Sequence, residues 1–325
     1  MKKTIIILAS APGARLANQL WNFISIYAYC LEMGYQCQNY SFFEEKKHKG
    51  EKIFNSFFNY NNYFNILQRN ILIKILLRFH LINNKLIRKI RPYHRYVKII
   101  KILHPEKIIY SGDSPFYLPP SENKNKEQAE KIKKLELSQD KKIYFSGWFF
   151  RNPLGIFKYH EEIVEYFKPK KEIQEEITAF TNKLKSQYEH LVGVHIRQSD
   201  YKKEFCNGKL YFNKKEVNIF LREYLYNFKK DLKKTCFIIC SDEAVNLDYF
   251  AGLNVIKSDF NAVTDLFLLA AADIIIGADS TFGAWAAYYG NIPHIVFTKP
   301  EIDWPYYKNK NNYFINKYST VTKLN

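Results

Sequence analysis

Short apolar runs alternate with amphipathic segments through the second half of the chain. The apolar runs are too short for helices of ordinary length and are rich in Val and Ile, which favours buried strands. Strands are predicted at residues 191–196, 235–240, 254–256, 273–277 and 294–297, and helices at 214–230, 263–272 and 280–290. Because strands that alternate with helices at this spacing form parallel sheets, the pattern predicts an α/β domain.

The first half opens with the same rhythm and then departs from it. Residues 4–10 predict a strand, and residues 18–33 predict a helix that ends before Gly34. Residues 46–107 are apolar, Asn-rich and basic, and they interrupt the pattern as a helical insertion. A length of 325 residues fits two domains better than one. We therefore expect an N-terminal domain at 1–188, which includes the insertion, and a C-terminal domain at 189–325.

The formal net charge of +17 favours anionic partners such as nucleic acid, a membrane surface or nucleotide phosphates. Only nine of the 49 basic residues are Arg, the residue that dominates specific base recognition, so nucleic acid is not expected as a partner. Between Arg69 and Lys107 there are eleven Lys or Arg and one acid. This stretch fits either peripheral contact with anionic lipid or, as we favour, a helix pair that covers the acceptor side.

The cysteines and the amino terminus bear on the compartment. The five cysteines include no Cys-x-x-Cys pair, which favours reduced thiols in a cytoplasmic protein. The apolar residues 4–8 are too few for a signal peptide and predict a buried first strand. No run of about 18 apolar residues occurs, so no membrane-spanning helix is expected.

Polar residues follow several of the predicted strands of the second half. Arg197 and Asp200 follow the first strand, Asp242 follows the second, and Ser280 and Thr281 follow the fourth. Ligands of open parallel sheets bind beyond the carboxyl ends of the strands. An Arg side chain and a helix amino terminus together suit a diphosphate group.

Each of these residues also has a structural interpretation. His195 at a strand end is often satisfied locally. Asp265 and Ser280 are also good helix caps, and Asp242 also suits a solvated turn. Arg197 is the hardest to explain structurally, because a charge directly behind a buried strand needs a partner.

Four segments, together with the strand-end acidic motif Ser241–Glu243, resemble the bacterial alpha-1,2-fucosyltransferases, within the wider superfamily that includes alpha-1,6- and protein O-fucosyltransferases. They are Arg15–Phe23, similar to G-x-L-G-N-Q-L-F; Ser146–Phe150, near G-Y-W-Q; His195–Tyr201, similar to H-x-R-R-G-D-Y; and Asp265–Trp285, similar to the motif that ends in S-S-F-S-W-W.

The resemblance implies a fold of GT-B type, with two facing Rossmann-like domains and parallel sheets. It implies that a carbohydrate acceptor binds mainly to the first domain and GDP-fucose mainly to the second. The expected reaction inverts the anomeric centre and needs no metal and no cofactor beyond the donor substrate. The implied product is a fucosylated surface glycan, with galactose in an alpha-1,2 linkage as the expected acceptor, made in the cytoplasm.

The resemblance also assigns roles to individual residues. Arg197 falls where the superfamily contacts the β-phosphate of the donor, and Asp200 is a candidate catalytic base. The other implied donor contacts are Ala17, Asn18, His195, Asp242, Asp265, Ser280, Thr281 and Phe282. Asp200 has an alternative role in holding Arg197.

Two departures from the motif keep other functions open. The second Arg of the motif is Gln198 and the Gly is Ser199. The alternatives are a glycosyltransferase that uses another nucleotide sugar and a non-catalytic basic relative that binds glycan or lipid. If the diphosphate lies beside residue 198, Gln198→Arg is expected to tighten GDP binding.

Overall fold

The computed structural model describes residues 2–9, 16–39, 92–112, 114–119, 123–199, 201–202, 208–309 and 312. Asp200 and the part of the predicted insertion before residue 92 lie outside the described residues. By its internal contacts the chain divides into two compact units, Met1–Pro169 and Lys170–Asn325. This division falls just before a helix that begins at Lys171.

The first unit contains a parallel four-stranded sheet. Its strands are β1 (Thr4–Ala9), β2 (Gln36–Asn39), β3 (Ile108–Tyr110) and β5 (Lys142–Ser146), in the order β2-β1-β5-β3. A separate parallel pair joins β4 (Phe116–Tyr117) to β6 (Phe150–Arg151). β1 is an interior strand, paired with β2 on one side and β5 on the other, and its side chains Ile5 to Leu8 are buried.

The helices of the first unit pack against this sheet and against one another. They are α1 (Leu16–Glu32), α2 (Pro92–Leu103), α3 (Lys126–Leu137), α4 (Pro153–Lys158) and α5 (His160–Tyr166). α1 follows β1 and buries Leu20, Trp21 and Ile24 completely. Val97 and Ile100 of α2 pack in one core cluster with Ile6 and Leu8 of β1.

The second unit contains a parallel five-stranded sheet, as the sequence pattern predicted. Its strands are β7 (His190–Ile196), β8 (Thr235–Ser241), β9 (Val255–Lys257), β10 (Ile274–Gly277) and β11 (His294–Val296), in the order β11-β10-β7-β8-β9. The helices are α6 (Lys171–Lys185), α7 (Lys214–Asn227), α8 (Ala262–Ala270), α9 (Thr281–Gly290) and α10 (Trp304–Lys308). Short 3₁₀ turns occur at Pro105–Lys107, Leu232–Lys234 and Leu247–Phe250.

The strand order of the second sheet is that of a Rossmann-like domain. From β7 the chain passes through α7 to β8 on one side, and from β10 it passes through α9 to β11 on the other side. β7 and β10 are hydrogen-bonded neighbours, so the direction of the connections reverses between them. A crevice at such a reversal, beyond the carboxyl ends of the strands, is where doubly wound sheets bind ligands.

Within the described part of the chain, no helix combines the length and the apolar character needed to cross a membrane.

Candidate active site

Arg197 follows β7 and is held by Asp242, which follows β8. The Nε atom of Arg197 lies 3.2 Å from Asp242 Oδ2, and the two side chains are 15% and 21% exposed. Asp242 also accepts hydrogen bonds from the backbone N–H of Gln198 at 2.8 Å and from the Ser199 hydroxyl at 2.6 Å. Asp242 therefore anchors the segment that carries Arg197 and is not merely part of a solvated turn.

Tyr201 joins the same segment to the end of β10. The Cζ atom of Arg197 lies 5.7 Å from the centroid of the Tyr201 ring. The Tyr201 hydroxyl donates a hydrogen bond to the backbone carbonyl of Asp279 at 2.7 Å, and Tyr201 is buried. The segment after β7 is thus fixed to both neighbouring strand ends, and Arg197 lies beside the reversal between β7 and β10.

The start of α9 lies at the same place. Ser280 is the N-cap of α9, and its hydroxyl accepts a long hydrogen bond of 3.4 Å from the backbone N–H of Gly283. Ser280 Oγ is also 3.2 Å from Nδ1 of His195. Thr281 and Phe282 form the first turn of α9, so the backbone N–H groups of this helix start are at this edge of the sheet.

His195 is a buried support of this helix start. It is 4% exposed, and its ring lies 5.0 Å from the Phe282 ring. Burial lowers the pKa of His195 to about 4, and the opposing effect of Asp242 is smaller. His195 is therefore neutral at pH 7 and contributes shape and a hydrogen bond instead of charge.

His294, which the sequence did not single out, lies next to this group. It is fully buried at the start of β11, and neither ring nitrogen has a hydrogen-bond partner among the described residues. A Cβ atom on Gly283 would be 3.1 Å from His294 Nε2 and 3.5 Å from His195 Nδ1. α9 therefore approaches the two imidazoles at a glycine.

Asp265 lies beyond the ends of β8 and β9. Its carboxylate accepts a short hydrogen bond from the Ser258 hydroxyl, and burial raises its pKa to about 6. The N-cap of α8 is Asn261, whose side chain accepts hydrogen bonds from Val263 and Thr264. The interpretation of Asp265 as a helix cap is therefore wrong, and its carboxylate faces the strand-end residue Ser258.

Gln198 points into the unit. It is 1% exposed, and its Nε2 donates a hydrogen bond of 2.8 Å to the carbonyl of Phe212. The side chain that replaces the second Arg of the motif is therefore part of the packing beneath the segment. A diphosphate at the sheet edge would not contact it in this position.

The predicted site residues of the first unit lie at the start of α1. Ala17 is buried and Asn18 is partly exposed, both in the first turn. Asp200, the candidate base, lies outside the described residues. Among the described residues, His, Cys, Asp and Glu form no group of three or more suited to a metal ion.

The arrangement in the second unit suits an anionic ligand. A fixed guanidinium and the N–H groups of a helix start lie at the ends of adjacent strands. Such preorganised donors stabilise a negative charge that grows during a reaction. A Rossmann-like sheet with this edge suits the nucleotide of an activated substrate.

The parallel-sheet units are those of a fold of GT-B type. The family model for glycosyl transferase family 11 matches residues 53–317. The chain belongs to this family of fucosyltransferases, and the resemblance seen in the motifs is confirmed.

Solved structures show a similar fold at low sequence identity. A mutant of Arabidopsis thaliana FUT1 in complex with GDP is 12% identical over 93% of this chain and 72% of that chain, with a TM-score of 0.50. POFUT1 in complex with GDP is 14% identical over 89% of this chain and 94% of that chain, with a TM-score of 0.50. No curated protein matches the sequence significantly.

Proposed function

We propose that the chain transfers fucose from GDP-fucose to a hydroxyl group of a carbohydrate acceptor. The transfer inverts the anomeric centre, requires no metal ion and takes place in the cytoplasm. Galactose, linked alpha-1,2, is the proposed acceptor, and a surface glycan is the proposed product. Family membership and the GDP bound to the FUT1 and POFUT1 structures support this donor.

The placement of Arg197 carries this function. Its Nε pairs with the Asp242 carboxylate, and its guanidinium lies over the ring of Tyr201. The Tyr201 hydroxyl donates a hydrogen bond to the carbonyl of Asp279, and the next residue, Ser280, is the N-cap of α9. The guanidinium is thereby held at the helix start that supplies backbone N–H donors. As the bond between fucose and the β-phosphate breaks, the phosphate gains negative charge, and these groups stabilise it.

The other donor contacts follow from positions along the sheet edge. Ser280, Thr281 and Phe282 form the phosphate-binding helix start. Asp265, beyond β8 and β9, accepts hydrogen bonds from the guanine ring of the donor. His195, at the end of β7, is also on the guanine side. Asp200 is the proposed acceptor base.

The experiment compares Arg197→Ala with Lys233→Ala. Lys233 is exposed in the turn that precedes β8, at the opposite edge of the sheet, so its loss removes the same charge without touching the site. We expect Arg197→Ala to lower kcat for fucosyl transfer by about 10²–10³-fold, and Lys233→Ala to leave it unchanged. Near-normal turnover in a folded Arg197→Ala protein would contradict the assignment.

The donor is tested by calorimetric titration with GDP and with UDP. A second assay measures release of the nucleotide from GDP-fucose and from UDP-sugars. Binding of GDP and hydrolysis of GDP-fucose are expected. Binding of UDP alone, with release of UDP from a UDP-sugar, would replace fucose by another sugar and keep the glycosyltransferase class.

We also propose peripheral contact with anionic membranes through α2. This helix exposes Ile99, Ile102 and Leu103 by 51%, 66% and 62%, next to Lys98 and Lys101. Apolar and basic side chains on one short helix suit the surface of an anionic bilayer. Co-sedimentation with vesicles of phosphatidylglycerol, lost in Ile102→Glu, tests this contact, and equal recovery with neutral vesicles would contradict it.

A further inference from the structure

The turn after β5 is tightly constrained. It begins at Gly147, whose φ of 131° is one that side chains rarely adopt. A Cβ atom there would overlap the Ser111 hydroxyl and lie 2.5 Å from the Ser111 carbonyl oxygen. Only glycine fits, so the backbone path of this turn is set by close contact with the end of β3.

Side-chain hydrogen bonds from Ser111 and from Asn22 of α1 fix the same turn. The Ser111 hydroxyl accepts a bond of 3.0 Å from the Phe149 N–H. Asn22 of α1, which is 1% exposed, donates to the Gly147 carbonyl at 3.3 Å and accepts from the Phe150 N–H at 3.0 Å. A turn that is fixed from both a strand end and a helix positions its side chains precisely.

The side chains held in this way form an aromatic stack. The rings of Trp148 and Phe149 lie 4.8 Å apart with 14° between their planes. Beneath them Arg151, 2% exposed, places its Cζ 4.4 Å from the Phe149 centroid. Trp148 and Phe149 remain partly exposed, whereas Phe150 is fully buried.

Trp148 differs in exposure from every other tryptophan of the chain. The sequence contains four, and Trp21, Trp285 and Trp304 are all buried. A partly exposed indole gains little from folding, yet this one lies on a turn whose path is fixed by close packing at Gly147 and by side-chain hydrogen bonds from Ser111 and Asn22. A rigidly supported side chain that stays partly exposed is suited to ligand binding.

We propose that Trp148, stacked on Phe149, is the platform on which a pyranose ring of the acceptor lies. This proposal rests on the proposed sugar transfer and names the group on the acceptor side. The turn is at the carboxyl end of a strand in a parallel sheet, the edge where such sheets bind ligands. The negative face of an aromatic ring attracts the weakly positive C–H groups of a sugar.

The same chemistry selects the kind of sugar. A β-galactopyranoside carries an axial 4-hydroxyl on one face, which leaves a continuous C–H patch on the opposite face. That patch matches a flat indole. In mannose the axial 2-hydroxyl and equatorial 4-hydroxyl distribute the polar groups differently, so a mannoside is the comparison ligand.

Fluorescence gives a direct measurement of this contact. Because the other three tryptophans are buried, acrylamide quenching of wild-type emission reports mainly on Trp148. Methyl β-galactopyranoside at millimolar concentration is expected to reduce that quenching, with methyl α-mannopyranoside much less effective. If neither sugar changes the quenching, the platform is overturned whether or not the protein transfers fucose.

Kinetics separate the platform from the donor site. Trp148→Ala is expected to raise KM for a β-galactoside acceptor about tenfold, with a much smaller change in KM for GDP-fucose. Trp148→Phe keeps an aromatic face and should recover most of the loss. Phe157→Ala removes an aromatic ring of the same unit that is 55% exposed and is the matched control.

Failure of the two proposals is distinguishable. If wild-type protein does not hydrolyse GDP-fucose, the proposed function fails, and fluorescence still decides the platform. If donor hydrolysis is normal but Trp148→Ala leaves acceptor KM unchanged, the platform alone fails. Should Trp148→Ala not fold, the Phe variant and the quenching experiment carry the test.

Discussion

Tyr201 and Asp279 join the ends of two neighbouring strands by one hydrogen bond, in which the Tyr201 hydroxyl donates 2.7 Å to the Asp279 carbonyl. Tyr201 belongs to the segment after β7, and Asp279 precedes the cap of α9. The bond lies between β7 and β10, where the direction of the connections reverses, and the Arg197 guanidinium lies over the Tyr201 ring. The bond therefore connects the segment that carries Arg197 to the start of α9.

Removing this bond should loosen donor binding more than it destabilises the fold. Tyr201→Phe keeps the ring under Arg197 and deletes the hydroxyl, at a cost of about 1 kcal/mol in unfolding free energy. We expect GDP affinity to fall several-fold, measured by calorimetry alongside urea unfolding. Tyr226→Phe, at a residue 85% exposed, is the control. Unchanged GDP affinity would show that the bond does not position the site.

The buried position of Gln198 changes what an Arg at this position is expected to do. A guanidinium placed there would lose water and displace the hydrogen bond to Phe212. We expect Gln198→Arg to lower the unfolding free energy by about 2–4 kcal/mol, without tighter GDP binding. Gln187→Arg, at an exposed position, should be neutral. Tighter GDP binding at normal stability would mean that residue 198 faces the ligand.

Two buried imidazoles should make the fold sensitive to acid. Burial lowers the pKa of His195 to about 4 and of His294 to about 3, against 6.5 for an exposed imidazole. Below pH 6.5 the unfolded chain binds protons that the folded chain excludes, so stability falls as pH falls from 6.5 towards 4, by at most about 1.4 kcal/mol per pH unit for each histidine.

Asp265 opposes this trend over part of the range. Its pKa is raised to about 6, so the folded chain takes up a proton there before the unfolded chain does. This favours folding between about pH 6 and pH 4.

Because His294 is one source of the acid sensitivity, His294→Leu should flatten the dependence of the unfolding free energy on pH between 6.5 and 4, measured by urea unfolding at a series of pH values. An unaltered slope would exclude His294 as a source of acid sensitivity.

Gly277 permits β7 and β10 to lie close together. A Cβ atom at this position would be 2.7 Å from the carbonyl oxygen and 2.9 Å from the Cβ of His195. Gly277→Ala is expected to cost about 2–3 kcal/mol and to weaken GDP binding. Gly112→Ala, where an added Cβ meets nothing within 4 Å, is the control for adding a methyl group. Wild-type stability of Gly277→Ala would contradict this packing.

Much of the second unit was predictable from the alternation of apolar and amphipathic segments. The predicted strands at 191–196 and 235–240 correspond to β7 and β8 with small shifts at their ends. Arg197 was singled out because a charge behind a buried strand needs a partner. The structure supplies Asp242 as one partner, and contact with a diphosphate stays a prediction. Local pattern was sufficient for the strands of this unit.

The contacts that support the site were not predictable in the same way. The burial of Gln198, the bond from Tyr201 to Asp279 and the position of His294 depend on residues far apart in sequence. Asp265 falls in the first turn of a helix, as a capping carboxylate would, and only the position of Asn261 shows that it is not the cap. Tertiary packing decides these roles, and a one-dimensional pattern does not contain it.

The central position of β7 has a consequence for how activity is lost. β7 is hydrogen-bonded to β8 and β10 along its length, and Val192, Val194 and Ile196 are almost completely buried. We expect the amide protons of such a strand to exchange with solvent only when the whole unit opens. Arg197 directly follows this strand. Local fraying elsewhere would leave its anchor intact, and its attachment should be lost only when the second unit unfolds globally.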